Sequence, residues 1–434
     1  MKKFFLLLII IPLISVSCRK QSVAPDSLTP AMARDSLFYI LKDWYYWYNM
    51  QETMAVTEST KANYDSPASL LEAMRYKTLD RWSFVADYAE FEAQMMGTFV
   101  GHGFRIGLDD SGVARIVMIY SKSPLYYEGV RRGWIVKKIN SQDIASVLKS
   151  GDAAAYTNII GPSVSGRTNI FLFQRPDGTE VTISSTKTSF TVNSVLYRDT
   201  LHLKSGITGQ LVFESFITPS VGELAEAFSY FKANNVTDLI LDLRYNSGGY
   251  LSVATLLANY IAGNGYSGTT FAKLSYNDKR QAANSVLPFS TTASPMNLSR
   301  LVVITSRSTA SASEAVMNGL KPMLNVVSIG DTTNGKPTGM NGWDIGQKYW
   351  MWPITFKIVN KNDEGDFFDG IYPAKNVSDD ITHDFKERDE LCLKEAIYYL
   401  ENGSVSTKGG SDFKRHPQFS EKPAWMNNGF ATEK

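Results

Sequence analysis

The chain has 434 residues, more than one small core can organise, so two or three domains are expected. With 44 basic residues against 43 acidic ones, no chain-wide field draws in nucleic acid or an anionic membrane surface. The 44% hydrophobic and 20% charged composition is that of an ordinary globular protein, and the 12% of aromatics suits buried cores and peptide grooves.

Met1-Lys-Lys, an apolar run from Phe4 to Ile14 and then Ser15-Val-Ser-Cys18 read as a secretory signal (residues 1–18). The apolar run is too short to span a bilayer comfortably. A cysteine just after small residues resembles a bacterial lipoprotein box, which implies that Cys18 becomes the lipidated first residue; Ser15 stands where that box usually has leucine. Plain signal cleavage with an incidental cysteine is the alternative. Cys392, the second cysteine, falls in a predicted helix as a small core residue, and no disulfide framework follows from two cysteines.

Residues 19–29 are polar and read as a tether. From Pro30 the apolar residues Met32, Leu37, Ile40, Leu41, Trp44 and Tyr45 recur at helical spacing, and Asp65-Ser-Pro-Ala-Ser begins a second helix with Pro67 in its first turn. Residues 30–92 are therefore expected to form a small helical domain.

Strand signals take over at 95–190. Phe99 to Gly107 is a glycine-broken strand, Ala114 to Tyr120 an alternating one, and Phe171 and Val181 flank an Asp177-Gly178 hairpin turn. Between them a short helix capped near Ser123, a turn at Gly133 and a strand ending at Asn140-Ser141 resemble a PDZ domain of the variety found in secreted bacterial proteases. That resemblance implies that Gly101-His102-Gly103-Phe104 is a carboxylate loop, whose successive backbone N–H groups capture a peptide C-terminus. A glycine-rich hairpin without a ligand is the plainer reading of the loop.

Residues 192–402 alternate strands and helices. Gln210 to Phe216 is a strand, Val221 to Ala233 an amphipathic helix, and Asp238 to Arg244 a run buried on both faces, as in a parallel sheet. Asn246-Ser-Gly-Gly249 ends that strand and Leu251 to Ile261 is the next helix. Leu301 to Thr305 and Val326 to Gly330 are further strands, Tyr349 to Val359 reads as one aromatic strand, and Arg388 to Tyr399 as a closing helix. Right-handed crossovers place sites at the carboxyl ends of the strands, where Gly249 and Ser311 both fall. Residues 403–434 are polar and read as a disordered tail.

Four histidines are present. His102 lies in the presumed loop and His416 in the tail, and neither His202 nor His383 has a motif around it. No metal-ligand spacing occurs, so metal- or histidine-dependent hydrolysis is disfavoured and no cofactor is called for. In Thr309-Ala-Ser-Ala-Ser-Glu314 a serine stands at a strand-to-helix junction between alanines, where helix N-terminal amides can hold an oxyanion. The same residues make a capping box, Ser311 to Glu314, so a purely structural role also fits. Lys336, between Gly335 and Pro337, is placed by a turn; desolvation could make it neutral and hence a base, as arginine could not be. Asp242 and Arg244 share a strand face and are expected to stabilise the loop carrying Gly248 and Gly249.

In this order the pieces resemble the C-terminal processing peptidases, also called tail-specific proteases: a helical N-terminal region, a PDZ domain, Asp-Leu-Arg-x-Asn-x-Gly-Gly, Ser-Ala-Ser-Glu, and a lysine 25 residues past the serine. The resemblance covers residues 30–400. It implies an α+β multidomain protein whose 192–402 core is an α/β, crotonase-like serine peptidase. It further implies a Ser311–Lys336 dyad, an oxyanion hole from the amides of Ala312 and Gly248 or Gly249, and a structural Glu314. Protein or peptide substrates cut near their C-termini are implied, in the cell envelope, on a periplasm-facing membrane such as the outer membrane, with an adaptor or a second copy as further partners. Many bacterial members carry a glutamine four residues after the lysine; here Met340 stands there, which puts the orientation of Lys336 in question. The same fold serves as a binding module in interphotoreceptor retinoid-binding proteins. A non-catalytic binder of peptides or lipophiles is thus the alternative, and a scaffold acting through the PDZ-like part alone is another.

Overall fold

The doubly buried run Asp238–Asp242 lies where its composition puts it, in the middle of a six-stranded sheet. In a computed structural model that describes residues 28–407, 413–415, 417–422, 426 and 430–432, the order is Val195–Leu203, Gly206–Phe213, Asp238–Asp242, Arg300–Thr305, Asn325–Gly330, Lys375–Asn376. The first pair is antiparallel and every later neighbour is parallel. Because side chains alternate along a strand, Leu239 and Leu241 face a core shared with helices Ser220–Ala233, Leu251–Ala262 and Ala312–Leu320. Ile240, Val302 and Ile304 face the other way, onto Cys392, Leu393 and Ala396 of helix Leu391–Asn402. Cys392 is buried and free, as a small apolar filler. Cys18 and His416 lie outside the described residues.

A second sheet stands beside the carboxyl ends of these strands. Its order is Gly248–Tyr250, Phe430–Thr432, Thr338–Met340, Ile354–Val359, Thr270–Tyr276, Ser285–Pro288. The aromatic run Tyr349 to Val359 is not one strand. Pro353, which has no N–H to give a ladder, divides it into Tyr349–Trp352 and Ile354–Val359, and the two halves enter different sheets.

The helical N-terminal stretch does not stand apart as a domain. Helix Pro30–Trp44, capped by Thr29, and helix Pro67–Met74, capped by Ser66, bury Leu37, Leu41, Leu70 and Met74 in the same core as the α/β residues. Strand Phe84–Asp87 pairs antiparallel with Tyr349–Trp352, which ties the stretch to the core by main-chain bonds. The aromatic richness of both partners makes this joint: Phe91, Trp350 and Trp352 pack with ring centroids 4.9 to 5.6 Å apart.

Between residues 104 and 186 the chain has a core of its own, with Ile106, Ile116, Val136, Phe171 and Phe173 all buried. Its sheet runs Phe104–Leu108, Ala114–Ile119, Ile135–Ile139, Thr168–Gln174, Glu180–Thr186, and Ser123 caps the short helix Pro124–Tyr127. The edge beyond Phe104–Leu108 is occupied by Gln418–Ser420, antiparallel, with Phe419 opposite Ile106. Residues 417–422 and 430–432 are thus strands and contacts, not the disordered tail their polar composition suggests. Backbone pairing needs no apolar side chains, so composition does not register it.

Candidate active site

Strand Arg300–Thr305 ends in a tight, hydroxyl-rich turn before helix Ala312–Leu320. Thr309 Oγ1 donates to the Leu243 carbonyl (2.8 Å), and the Ala310 amide donates to the Asn246 carbonyl (3.1 Å). These bonds lay the serine segment against the Asn246–Gly249 loop. Ser311 then takes φ 60° and ψ −109°, a conformation that residues with a side chain rarely adopt. Its Oγ is buried and has no hydrogen-bond partner among the described residues, while the hydroxyl of its neighbour Ser313 is tied to the Asn246 carbonyl at 3.1 Å. Of the two serines, only Ser311 offers an uncommitted oxygen.

Glu314 joins the pieces. One of its carboxylate oxygens accepts the N–H of Ser311 (2.7 Å) and the N–H of Lys336 (2.9 Å). The other accepts the Gly335 N–H (2.6 Å) and the Thr333 hydroxyl. The glutamate half of the capping box is therefore present and extended: the same group that holds the helix start also holds the lysine turn. Burial pushes the Glu314 carboxyl up from the usual range, and these donors oppose that shift.

Lys336 is buried, and desolvation lowers its pKa to about 7, against smaller upward pulls from Asp80 and Glu314. Its Nζ lies 3.4 Å from Met340 Sδ and 5.9 Å from the centre of the Trp82 ring. Met340 therefore does touch the amine, through a sulfur that is a weak acceptor. Trp82 is fixed by its Nε1–H on Asn334 Oδ1 (3.0 Å). Asn246 stands in the glycine motif without a role assigned to it, whereas Asp80, Trp82 and Thr333 carry no local motif, so sequence reasoning missed them. They are recognisable only once residues some 250 positions apart meet.

The two glycines separate in role. The Gly248 amide donates to Asn246 Oδ1 (2.9 Å), so it is committed to the loop and not to an oxyanion. Phe216 takes the Gly248 carbonyl (3.0 Å) and the Tyr250 amide (2.8 Å). By strand alternation the N–H of Gly249 faces the opposite edge. A side chain at Gly249 is excluded, because its Cβ would stand 2.0 Å from the Phe216 carbonyl oxygen. Ala312 opens its helix, and its amide is one of the first four, which have no intrahelical acceptor.

Behind the loop Arg244 lies fully buried. Its Nε reaches Asp242 (3.0 Å), and its two terminal nitrogens make a fork on Glu390 (2.7 and 3.0 Å). Asp379 receives Arg244 (2.9 Å), Arg132 (3.0 Å) and the Tyr245 hydroxyl (2.6 Å), and the two guanidinium groups help hold its carboxyl down near 2 against burial. The imidazole of His102 spans Ser185 (2.9 Å) and Asn169 (2.8 Å), a structural role inside the 104–186 unit. In the Gly101–Phe104 loop the amides of His102 and Gly103 both point at one acceptor, the side-chain carboxylate of Glu421 (2.8 and 3.1 Å). Two cavities of about 290 and 550 Å³ open near Asp379 and near Glu364, and neither is lined by Ser311 or Lys336. Among the described residues no group of three or more His, Cys, Asp or Glu could hold a metal ion.

A mostly parallel sheet whose strand ends gather a serine, a lysine and a glycine turn makes a mixed α/β domain. The sequence model of peptidase family S41 matches residues 207–377. It is 24% identical over 314 residues to the carboxy-terminal processing protease CtpB of Bacillus subtilis, covering 71% of this chain and 61% of that protein. It is 26% identical over 252 residues to a protein named as a probable CtpA-like serine protease in Staphylococcus aureus, covering 57% and 46%. The chain thus spans about half to three fifths of the curated relatives it matches. Among solved structures, the fold is similar to a candidate S41 protease of Bacteroides fragilis, with TM-score 0.70 at 21% identity over 85% of this chain and 97% of that one.

Proposed function

We propose that this chain is a serine endopeptidase in which Ser311 is the nucleophile and Lys336 the general base. The observation that carries the reading is the shared Glu314 oxygen, which hangs the backbones of an uncommitted serine and a desolvated lysine from one atom. In the acylation step the Ser311 hydroxyl proton passes to neutral Nζ of Lys336, and Oγ bonds to the substrate carbonyl carbon. The oxyanion that forms is held by the amides of Ala312 and Gly249. The C–N bond then breaks and the leaving amine takes the proton from Lys336; neutral Lys336 Nζ next takes a proton from water, which attacks the ester, and passes that proton to Ser311 Oγ as the acid is released. The substrates are proteins or peptides cut near their C-termini. Residues 95–190 act as a PDZ-like module whose 101–104 loop binds a carboxylate, as the two convergent amides suit. The signal-like start and Cys18 support lipid anchoring in the cell envelope.

The test is covalent labelling with a serine-reactive phosphonate together with cleavage of an unfolded protein. Ser311→Ala should lose both, and Lys336→Ala should lose cleavage with the fold intact. A wild-type chain that takes no label and cuts nothing would be a peptide or lipophile binder on this fold.

A further inference from the structure

We propose that residues 418–422 and Phe430–Thr432 are the chain's own competitive occupant, filling in cis the places where a polypeptide substrate binds. This rests on the peptidase reading above for the identity of the cleft, and on independent contacts for the occupancy. At the first place, Gln418–Ser420 adds a strand to the edge strand Phe104–Leu108, in the manner of β-augmentation. The Glu421 carboxylate then lies on the His102 and Gly103 amides, where a terminal carboxylate would lie, and pairs with the buried Lys187 at 2.9 Å. The Phe419 ring packs tilted against Tyr156 with centroids 5.3 Å apart, Lys422 pairs with the buried Glu214, and Met426 is buried.

At the second place, Phe430–Thr432 runs parallel to Gly248–Tyr250, with Ala431 opposite Gly249, and Thr432 pairs with Met340. This strand is what joins the glycine loop to the strand that follows Lys336. Without it the two edges would face each other across a gap one strand wide, a template for any extended peptide. The Gly249 N–H faces that gap, so the tail lies on the amide that the mechanism assigns to the oxyanion. Recognition by main-chain pairing implies substrates chosen for extended conformation and an acidic or terminal carboxylate, with little dependence on side-chain sequence. A tethered segment competes at an effective concentration on the order of millimolar, so even a weak self-contact raises the apparent KM.

The test compares the full chain with a full-length double variant, Glu421→Gln with Ala431→Pro, which removes the carboxylate and a strand N–H. The variant should show an apparent KM for an unfolded-protein substrate lower by roughly tenfold, with kcat unchanged. It should also bind a fluorescent peptide of residues 417–434 more tightly than the wild type. Should the Glu421 change unfold the chain by stranding Lys187, Ala431→Pro alone keeps that ion pair and carries the same expectation for KM. Equal KM and equal peptide binding in the two full-length chains would overturn the proposal. Peptide binding needs no catalysis. If the variant binds the peptide more tightly but neither chain is labelled at Ser311, the peptidase reading fails and the occupancy stands; labelling with no change in KM or binding fails the occupancy alone.

Discussion

In the proposed mechanism, the pH dependence of acylation is set by how far burial moves Lys336. With its pKa at about 7, the neutral fraction is about 9% at pH 6 and about 91% at pH 8, so kcat/KM should rise about tenfold and then level off. A lysine left at its ordinary value near 10.5 would instead give about a hundredfold rise over the same interval, with no plateau before pH 9. The assay is kcat/KM for a peptide substrate from pH 5.5 to 9, with the acyl-enzyme burst measured alongside so that chemistry and not product release is observed. Replacing Met340 by Gln would set an amide oxygen near Nζ in place of the sulfur now 3.4 Å away. That oxygen stabilises the ammonium better, so the midpoint should move up in pH. A flat profile, or a midpoint unchanged in Met340→Gln, would refute desolvated Lys336 as the base.

Glu314→Gln turns an all-acceptor group into one that must present an NH2 to donors already aimed at it. Activity should fall by at least about a hundredfold, consistent with losing about 3 kcal/mol of charge-assisted bonding; retained activity in a folded variant would show that the carboxylate does not position the pair. Gly249→Ala forces the loop off the Phe216 carbonyl and should lower kcat by about two orders of magnitude, the effect of losing one oxyanion donor. Arg244→Met strands the buried Asp242 and Glu390 carboxylates, which should cost about 3 to 5 kcal/mol. Thermal unfolding should then shift down by on the order of 10 °C; an unchanged Tm would show the network to be stabilising nothing.

Much of this fold is written in local pattern. The run Asp238 to Asp242 reads as a central strand because both its faces are apolar, and Gly249 and Ser311 read as strand-end residues from the alternation of elements around them. Other features have no local trace. Asp379 and Glu390 come to Arg244 from more than 130 positions away, and nothing near either carboxylate marks it as a partner. The strand at Phe430–Thr432 is short and polar in context, and its pairing uses backbone groups that every sequence possesses. The split of Gly248 from Gly249 is of a third kind: both belong to one motif, and only the direction of each amide separates them. The helical start looked independent because its apolar spacing is regular, and spacing does not say which core a helix joins.

The Glu314 carboxylate has a consequence for how this site can change over time. Ser311 and Lys336 are fastened to each other through the Glu314 side chain and through the Asn334 amide on the Thr309 carbonyl, not through the loop between them. Residues 321–324, before strand Asn325–Gly330, could lengthen or shorten without moving either group, because the distance along the chain is not what fixes the distance in space. The serine helix, the glutamate and the lysine turn would travel as one transplantable piece. Drift in the number of intervening residues among relatives would then leave the chemistry intact, whereas loss of the glutamate would break it at unchanged spacing.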